Sequence, residues 1–507
     1  MSDTRNFIAK LGALHVKLSA RGSQLQYDGA ASALSAEVLG EIERRKSELI
    51  EFFQQANRAP VIPLGPRAVN GRYPLAFGQE AFINSYERMT ELSTQHSLIC
   101  RRLSGPLDCL ALGAAFRALM QRHGALRTRY VTAPDGALAM MVDAPVPDIP
   151  LWDLRAMEEA ARESQARHLI VAAIGPRFDL RTGPLIRPLL ICISTHEHIF
   201  ALVVHHSISD AFSMHVMLRD LGALYDACVN DTPAQLPELA FQFADYATCI
   251  REWMASPDGQ QHLAYWHQRL ATVRKPFWLP TDSEAAGNKG EPQVHRIELK
   301  EQTLEKLREL ARSHKTTTPA VLLAAYATAL SRWSESPSVL VALTHFGRSL
   351  SKLMNLIGCF VQAWPLHVAI HPNNGFGDVV EQIARSMDEA QLHIQVPLTA
   401  IKPELSRLTD ESPLRLIMFN YARLPRGYME TSFGPLRVTP FVVPKPDTLD
   451  EGRAEKLNLT SVEYDDRIEI WFRYARSLFA DRTISRFVAS FHSLLMAAAG
   501  DEPTEKA

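Results

Sequence analysis

The stretch that decides the fold is His198-Ile-Phe-Ala-Leu-Val-Val204, followed directly by His205-His206-Ser-Ile-Ser-Asp210-Ala211. The apolar run has the length of a buried strand, and the residues after Ala211, to about Cys228, have the apolar spacing of a helix. Adjacent side chains at the end of an extended strand point in opposite directions. We therefore expect one histidine to face a substrate channel and the other to pack inward.

This strand-to-helix loop carries the residue types that acyl transfer needs. A neutral imidazole can take a proton from an attacking amine or hydroxyl near pH 7. The N–H groups that begin the following helix favour negative charge on a carbonyl oxygen. Asp210 also stands where a helix N-cap is expected, which is a structural role. The pattern favours acyl transfer and leaves both roles of Asp210 open.

Motifs of competing chemistries are missing from the sequence. It contains no G-x-S-x-G, no G-x-G-x-x-G, no phosphate-binding Walker loop and no H-E-x-x-H. The short His196-Glu-His198 pattern is typical of a solvated turn, and we interpret it as such. We therefore expect no metal site.

Outward from this loop, helical and strand-like segments alternate. Residues 107–123 and 303–334 have helical apolar spacing, Val339–Leu343 reads as a buried strand, and Ile468–Tyr474 alternates as a half-buried strand. The loop-rich stretch 279–292 divides this region into two parts. The order predicts an α/β fold built from α+β layers, with an N-terminal lobe over 73–282 and a C-terminal lobe over 283–507.

A separate small unit precedes these lobes. Residues 56–72 contain three prolines and two glycines and predict a linker. In residues 1–55, Phe7–Leu14 has helical spacing, and a hairpin of Val16–Leu18 with Leu25–Tyr27 has Gly22 in its turn. Ser35 is a plausible N-cap for a further helix. Because a free hairpin edge can accept an added peptide strand, this unit is interpreted as a docking domain.

Composition excludes several classes of partner. The 507 residues include 54 Lys and Arg and 56 Asp and Glu, a net charge of −2, which argues against binding dominated by nucleic-acid phosphates. No apolar run reaches the roughly 18 residues of a membrane span, and the N-terminus lacks a secretory signal. The six cysteines form no C-x-x-C pair, as expected of reduced thiols in a cytoplasmic protein.

The His205–Asp210 segment resembles the H-H-x-x-x-D-G motif of the condensation domains of nonribosomal peptide synthetases. Other segments resemble further motifs of that family in order and spacing; they are Pro74–Gln79, Arg122–Tyr130, Phe243–Ala247, Ile357–Gln362 and Gln395–Leu398. The resemblance covers about residues 73–500. Residues 1–55 resemble the β-hairpin docking domains that precede such enzymes.

This resemblance implies two chloramphenicol-acetyltransferase-like lobes in a V-shaped pseudo-dimer, plus a small ααββ-type docking domain. A carrier's phosphopantetheine arm enters a central tunnel from one side and the acceptor from the other, with no other cofactor bound. The family's active histidine corresponds to His206, beside the acceptor nucleophile and the thioester. His205 and Asp210 correspond to structural residues, and Arg348 to an arginine that pairs with Asp210.

The sequence departs from the family pattern at several positions. Ala211 replaces the motif glycine, Gln362 the usual Asn and Ala363 the usual Thr, and His393-Ile-Gln395 breaks the usual run before Pro397. These changes imply an unusual acceptor, or a loss of activity as in recruitment-only members of the family. The intact His-His-Asp set favours an active enzyme.

The function that we expect is that of a stand-alone condensation enzyme, because the chain has no room for adenylation, carrier or thioesterase domains. An upstream acyl or peptidyl carrier protein would dock on the N-terminal unit, with its acidic and apolar tail gripped by Lys17, Arg21, Gln24, Tyr27 and Arg44. The acceptor would be a free small molecule, so that the chain is released as an amide or ester, as in enacyloxin-type assembly lines. Two alternatives stay open: an acyl-CoA-dependent acyltransferase of wax-ester-synthase type, and a non-catalytic scaffold that binds carriers.

Overall fold

The computed structural model describes residues 17–21, 24–28, 36–49, 62–67, 71–88, 95–133, 138–273, 279–282, 292–348, 350–371, 373–408, 417–424, 432–443, 457–476 and 478–500. The strands are β1 Lys17–Arg21, β2 Gln24–Asp28, β3 Tyr73–Pro74, β4 His96–Ser104, β5 Arg129–Thr132, β6 Leu138–Met141, β7 Leu151–Asp153, β8 Ile186–Cys192, β9 Glu197–His205, β10 Pro292–Lys300, β11 Ser338–His345, β12 Gln362–Ala369, β13 Ile417–Arg423, β14 Arg437–Pro440, β15 Leu457–Glu463 and β16 Arg467–Ala475. The α-helices are α1 Ala36–Arg44, α2 Phe77–Arg88, α3 Cys109–Arg122, α4 Glu159–Ile174, α5 Ala211–Asn230, α6 Phe243–Ala255, α7 Pro257–Ala271, α8 Glu301–Ser313, α9 Thr318–Ser334, α10 Phe376–Gln391, α11 Lys402–Leu408 and α12 Asp481–Ala498.

The first large sheet holds the strand that ends at the histidine pair. Its order is β14-β4-β9-β8-β7, and β9 lies in its centre, antiparallel to both β4 and β8. The residues of β9 from Ile199 to His205 are almost fully buried, as the unbroken apolar run predicts. Helix α4 packs on β8 and β9, and α3 packs against α5. The end of β9 is therefore held rigidly.

The second large sheet comes entirely from residues after 291. Its order is β10-β16-β15-β13-β11-β12. Helices cover one face: α9 packs on β11, α8 on β10 and β16, and α10 on β12. The Tyr326 ring of α9 lies against the rings of Phe419 on β13 and Phe472 on β16. Phe419 and Phe472 thus mark the helix-covered face.

One strand links the two halves of the chain. Strand β14 belongs to the second half by sequence, yet it pairs antiparallel with β4, with Val438 opposite Leu103. The segment that leads to it packs on α5, where Ser432 closely approaches Gly222. Residues after 291 therefore contribute to both large sheets.

The predicted elements are confirmed where the structure describes them. Residues 107–123 contain α3, residues 303–334 contain parts of α8 and all of α9, and the two predicted strands are β11 and β16. The predicted hairpin is the antiparallel pair β1–β2, and α1 begins directly after Ser35. The helix predicted over Phe7–Leu14 and the turn at Gly22 lie outside the described residues. Among the described helices, none has the length and apolar character that a bilayer crossing requires.

Candidate active site

The histidine pair lies on a tight turn between β9 and α5. His205 is the last residue of β9, and residues 206–208 form a single turn of 3-10 helix. Asp210 caps α5, because its Oδ1 atom accepts the Ser213 backbone N–H at 2.7 Å. The sequence pattern of strand, loop and capped helix is therefore confirmed.

His205 points inward, into an aromatic cage. Its side chain is fully buried and meets the Tyr86 ring edge to face at 4.5 Å between centroids. Its Nδ1 atom accepts the Ser207 backbone N–H at 3.1 Å, which leaves the ring proton on Nε2. Burial holds the pKa of His205 well below its usual value, so the ring stays neutral. His205 is a packing residue of the turn.

His206 points the other way and is half-buried. Its ring stacks on Phe82 of α2, with the centroids 4.1 Å apart and the planes 14° from parallel. Its backbone N–H donates to the Gln95 carbonyl oxygen at 2.7 Å. This stack fixes the plane of the His206 ring, which is the less buried of the two histidines.

Helix α2 also grips the turn through Gln79. The Gln79 amide nitrogen donates to the Ser207 carbonyl oxygen at 2.9 Å and to the Tyr130 hydroxyl at 3.1 Å. Burial raises the pKa of Tyr130, so its hydroxyl keeps its proton and donates to the same Ser207 carbonyl. Because side chains three and four apart share a helix face, Gln79, Phe82 and Tyr86 form one stripe along both histidines.

Asp210 is paired with an arginine from the second half of the chain. Arg348 Nη2 lies 3.1 Å from Asp210 Oδ1, and both side chains are 2% exposed. The same nitrogen donates to Ser213 Oγ at 2.7 Å and to the Leu356 carbonyl oxygen. The guanidinium also lies 4.0 Å from the centre of the Phe360 ring. The ion pair that the family resemblance implies is present.

Backbone groups complete this cross-chain contact. The second Asp210 oxygen accepts the Phe360 N–H at 3.0 Å, and Ser213 Oγ donates to the Gly358 carbonyl oxygen at 2.8 Å. A side chain at Gly358 would overlap the Phe243 ring, with its Cβ 2.0 Å from the nearest ring atom. The glycine therefore lets the loop before β12 pack against Phe243 at the start of α6.

Fewer backbone N–H groups at the N-terminus of α5 can bind an oxyanion than the sequence predicted. Asp210 occupies two amides of the first turn, through its side chain on Ser213 and its carbonyl oxygen on Met214. Those two N–H groups cannot also stabilise a developing oxyanion. The dipole of α5 still points its positive end at the turn.

The residues that depart from the family motifs lie in three separate parts of the fold. Ala211 is the first residue of α5 and is exposed, directly after Asp210. Gln362 and Ala363 begin β12 and are half-buried. The substituted histidine, His393, stacks on Tyr265 and lies with its Nδ1 2.8 Å from that of His262. The structure does not place His393 on the histidine turn between β9 and α5.

Within the described ranges, no group of three or more His, Cys, Asp or Glu side chains could hold a metal ion. The His196-Glu-His198 pattern divides at a turn: residues 193–196 form the bend before β9, and His198 is buried in the strand. His196 is therefore exposed in the bend, whereas His198 is packed inside the sheet.

The predicted docking residues lie on the small N-terminal elements. Lys17 and Arg21 are on β1, and Gln24 and Tyr27 are on β2. Arg44 ends α1, where its exposed guanidinium pairs with Glu41 at 2.5 Å. Their part in docking remains a prediction.

Sequence reasoning missed the residues that hold the turn from a distance. These are Gln79, Phe82, Tyr86, Tyr130, Ser213 and Phe360. The 79-82-86 spacing is that of one helical face and could have marked the first three. Gln79, Tyr130 and Phe360 also stood inside segments that resemble family motifs. No pattern in the sequence indicated the contacts themselves, since each joins residues far apart in the chain.

Two family models together match most of this chain. The sequence model of the condensation domain matches residues 69–506, and that of the TubC N-terminal docking domain matches residues 5–55. A linear gramicidin synthase of Brevibacillus parabrevis is 30% identical over 444 residues, which are 86% of this chain and 6% of that protein. The chain thus spans less than a tenth of the length of the first curated relatives that it matches.

Solved structures that resemble the fold of this chain include the following two. The X-domain in its complex with OxyB from teicoplanin biosynthesis has a TM-score of 0.72 and 24% identity, and covers 87% of this chain and 95% of that one. The structure describing condensation-domain-mediated chain release from the enacyloxin polyketide synthase has a TM-score of 0.67 and 18% identity, and covers 99% of this chain and 96% of that one. At these identities the likeness establishes the fold alone, and it confirms the predicted two-lobed, chloramphenicol-acetyltransferase-like architecture.

Proposed function

The chain belongs to the condensation-domain family, and from that premise we propose that it transfers an acyl group from a carrier-protein phosphopantetheine thioester to an amine or hydroxyl. The observation that carries this proposal is the orientation of the histidine pair. His205 is locked inward and neutral, whereas His206 is half-buried and held by the Phe82 stack.

The proposed reaction needs one proton acceptor and one thioester. The acceptor nitrogen or oxygen attacks the thioester carbonyl carbon while His206 takes the proton that this atom loses. The tetrahedral intermediate then collapses, the carbon–sulfur bond breaks, and the sulfur leaves with that proton as the free thiol. An amide or ester is formed, and no oxidant, reductant or metal is consumed.

The buried frame around the turn supports this role. A general base must stay in place through the reaction, because small displacements lose much of its effect. Arg348 and the Phe360 amide hold the turn from the second half through Asp210, and Gln79 holds it from α2. His206 is thus presented on a rigid loop between two halves of the molecule.

We further propose that the acceptor is a free small molecule, so that transfer releases the chain from its carrier as an amide or ester. The likeness to the enacyloxin chain-release structure over 99% of this chain supports this reading. The donor would be an upstream acyl or peptidyl carrier protein. The docking domain over residues 5–55 is the part of the chain suited to recruit it.

The decisive experiment is intact-protein mass spectrometry of an acyl-loaded carrier incubated with the enzyme and a panel of amines and alcohols. We expect loss of the acyl mass from the carrier and formation of one amide or ester. His206→Ala should slow transfer on the order of 10²–10⁴-fold. His196→Ala, in the exposed bend before β9, is the matched control and should leave the rate unchanged.

Each other outcome contradicts part of the proposal. Equal single-turnover rates for His206→Ala and the parent enzyme would remove His206 from the chemistry. Equal use of acyl-CoA would favour the acyl-CoA-dependent alternative. Carrier binding without product from any acceptor would favour a scaffold.

The docking proposal is tested separately with the charge-reversal pair Lys17→Glu and Arg21→Glu on β1. We expect a raised apparent KM for the loaded carrier and an unchanged rate at saturating carrier, because recruitment is weakened and the active site is not. Lys306→Glu on α8 is the control for a charge change elsewhere. Removal of residues 1–55 should give the same result, and equal turnover at low carrier concentration would refute the docking role.

A further inference from the structure

The open face of the second sheet carries a row of uncharged polar side chains. On β13, Phe419 faces the helices and contacts Tyr326, so its neighbour Asn420 points to the opposite face, where it is half-buried. The strand register places Thr460 of β15 opposite Asn420. Thr344 of β11 reaches Asn420 from the other side. We call Thr344, Asn420 and Thr460 the polar row.

The row is fixed by its own hydrogen bonds. Thr344 Oγ1 donates to Asn420 Oδ1 at 2.7 Å. The Asn420 amide nitrogen donates to Thr460 Oγ1 at 3.2 Å and to Asn458 Oδ1 at 3.0 Å. Because both ends of the Asn420 amide are engaged, its orientation is set before any ligand arrives. The row therefore presents hydroxyl oxygens in defined positions, the kind of order that lowers the cost of binding.

Folding alone does not account for these residues. Asparagine is depleted in strands, and here two asparagines lie side by side on the central strands β13 and β15. On the helix-covered face of the same strands Leu343, Phe419 and Leu459 are apolar and buried, whereas Thr344, Asn420 and Thr460 on the opposite face are only half-buried. A polar set at the middle of a sheet indicates a surface that must stay accessible to something polar.

Short stretches of chain join the row to residues that hold the histidine turn. Thr344 precedes Arg348 by four residues, which is at most about 13 Å of extended chain. Ala363 lies opposite Thr344 in the β11–β12 register, three residues after Phe360, whose amide binds Asp210. With alanine at this position, the end of the row nearest the turn carries only a methyl group.

We propose that the polar row is a specificity surface for the transferred or accepting molecule, and that it binds one uncharged hydrogen-bonding group: a hydroxyl, ketone or amide. This inference rests on the proposed acyl transfer. None of the three side chains carries a charge, and Trp471, half-buried opposite Thr460, adds an apolar wall beside them. The arrangement suits a mostly apolar chain with a single polar substituent.

The test measures a preference ratio in the full-length enzyme. The donor arm compares carriers loaded with octanoyl and with octanoyl bearing one hydroxyl at each of carbons 3 to 7. The acceptor arm compares hexylamine with 6-aminohexan-1-ol. Thr344→Val keeps the shape and removes the hydroxyl, and should lower the preference for the hydroxylated partner about 5–10-fold in one arm. Thr344→Ser, which keeps the hydroxyl, should retain the parental ratio.

Thr460→Val provides a second variant on the other side of Asn420, and unfolding midpoints show that each protein is folded. A lowered ratio in the donor arm assigns the row to the acyl chain, and one in the acceptor arm assigns it to the acceptor. Ratios equal to the parental value for both valine variants in both arms would overturn the inference while acyl transfer itself stands. Absence of transfer by the parent enzyme from every carrier would instead overturn the proposed function and this inference with it.

Discussion

The ion pair between Asp210 and Arg348 should hold the two halves of the molecule together at the active site. The perturbation is the pair of single variants Arg348→Met and Asp210→Asn, with the double variant completing a cycle. Methionine keeps much of the volume of the arginine side chain, and asparagine can still cap α5. Both changes therefore remove charge with little change in packing.

The structure sets the expected magnitude. Both side chains are 2% exposed, so water cannot solvate the partner that is left behind. Without Arg348, the buried Asp210 carboxylate keeps only the Ser213 and Phe360 N–H groups. Breaking one side of such a buried pair costs about 3–5 kcal/mol. Removing both charges leaves no orphaned ion, so the double variant should lose clearly less than the sum of the single losses.

The assay is urea unfolding followed by tryptophan fluorescence, since the chain has seven tryptophans. The same samples are assayed for acyl transfer, which should fall in both single variants because the turn carrying His206 loses its anchor. Losses below about 1 kcal/mol for each single variant, adding to that of the double variant, would refute the reasoning. The ion pair would then contribute little to the stability of the protein.

Two further predictions concern backbone geometry and pH. Gly347→Ala should destabilise the protein and lower activity, because Gly347 has φ +65° and an added Cβ would lie 1.9 Å from the Phe360 carbonyl oxygen. The control is Gly113→Ala within α3, where the added Cβ would meet only the flexible end of Arg117 at 3.6 Å, and this change should be neutral or stabilising by up to about 1 kcal/mol. Equal unfolding midpoints for the two variants would contradict this prediction. Burial lowers the pKa of His96 to about 4 and that of His205 well below its usual value, so below pH 6.5 the unfolded chain binds protons that the folded chain refuses. His96 should then cost about 1.4 kcal/mol of stability at pH 5.5 relative to pH 7.5, and His205 should add a loss in the same direction. A free energy of unfolding that stays level between pH 7.5 and 5.5 would refute the assignment.

The local order of the site was readable from the sequence. The run from His198 to Val204 is apolar without interruption, which is typical of a strand buried on both faces, and α5 follows with its cap at Asp210. Alternation at a strand end also predicted that the two histidines point apart, and the burial of His205 beside the half-buried His206 confirms it. These features depend on residues that are neighbours in the chain, so the periodicity of the sequence is enough to predict them.

The pairing of Arg348 with Asp210 came from family resemblance, because no local pattern connects residues 138 positions apart. The same limit explains the missed partners. Gln79 reaches the Ser207 carbonyl across 128 positions, and the Phe360 amide reaches Asp210 across 150. Every residue except proline has a backbone N–H group, so the sequence does not show which of them will bind Asp210.

The sequence by itself thus determined the two-part α/β framework, the docking hairpin, and a histidine pair displayed where a strand turns into a capped helix. The tertiary structure alone decided which side chains fix that turn, and that Thr344, Asn420 and Thr460 meet in one hydrogen-bonded row. The physical reason is that hydrophobic periodicity specifies which face of each element is buried, whereas the partners across that face depend on how distant elements pack. The crossing of β14 into the first sheet is of the same kind, since only the assembled sheet offers it an edge to pair with.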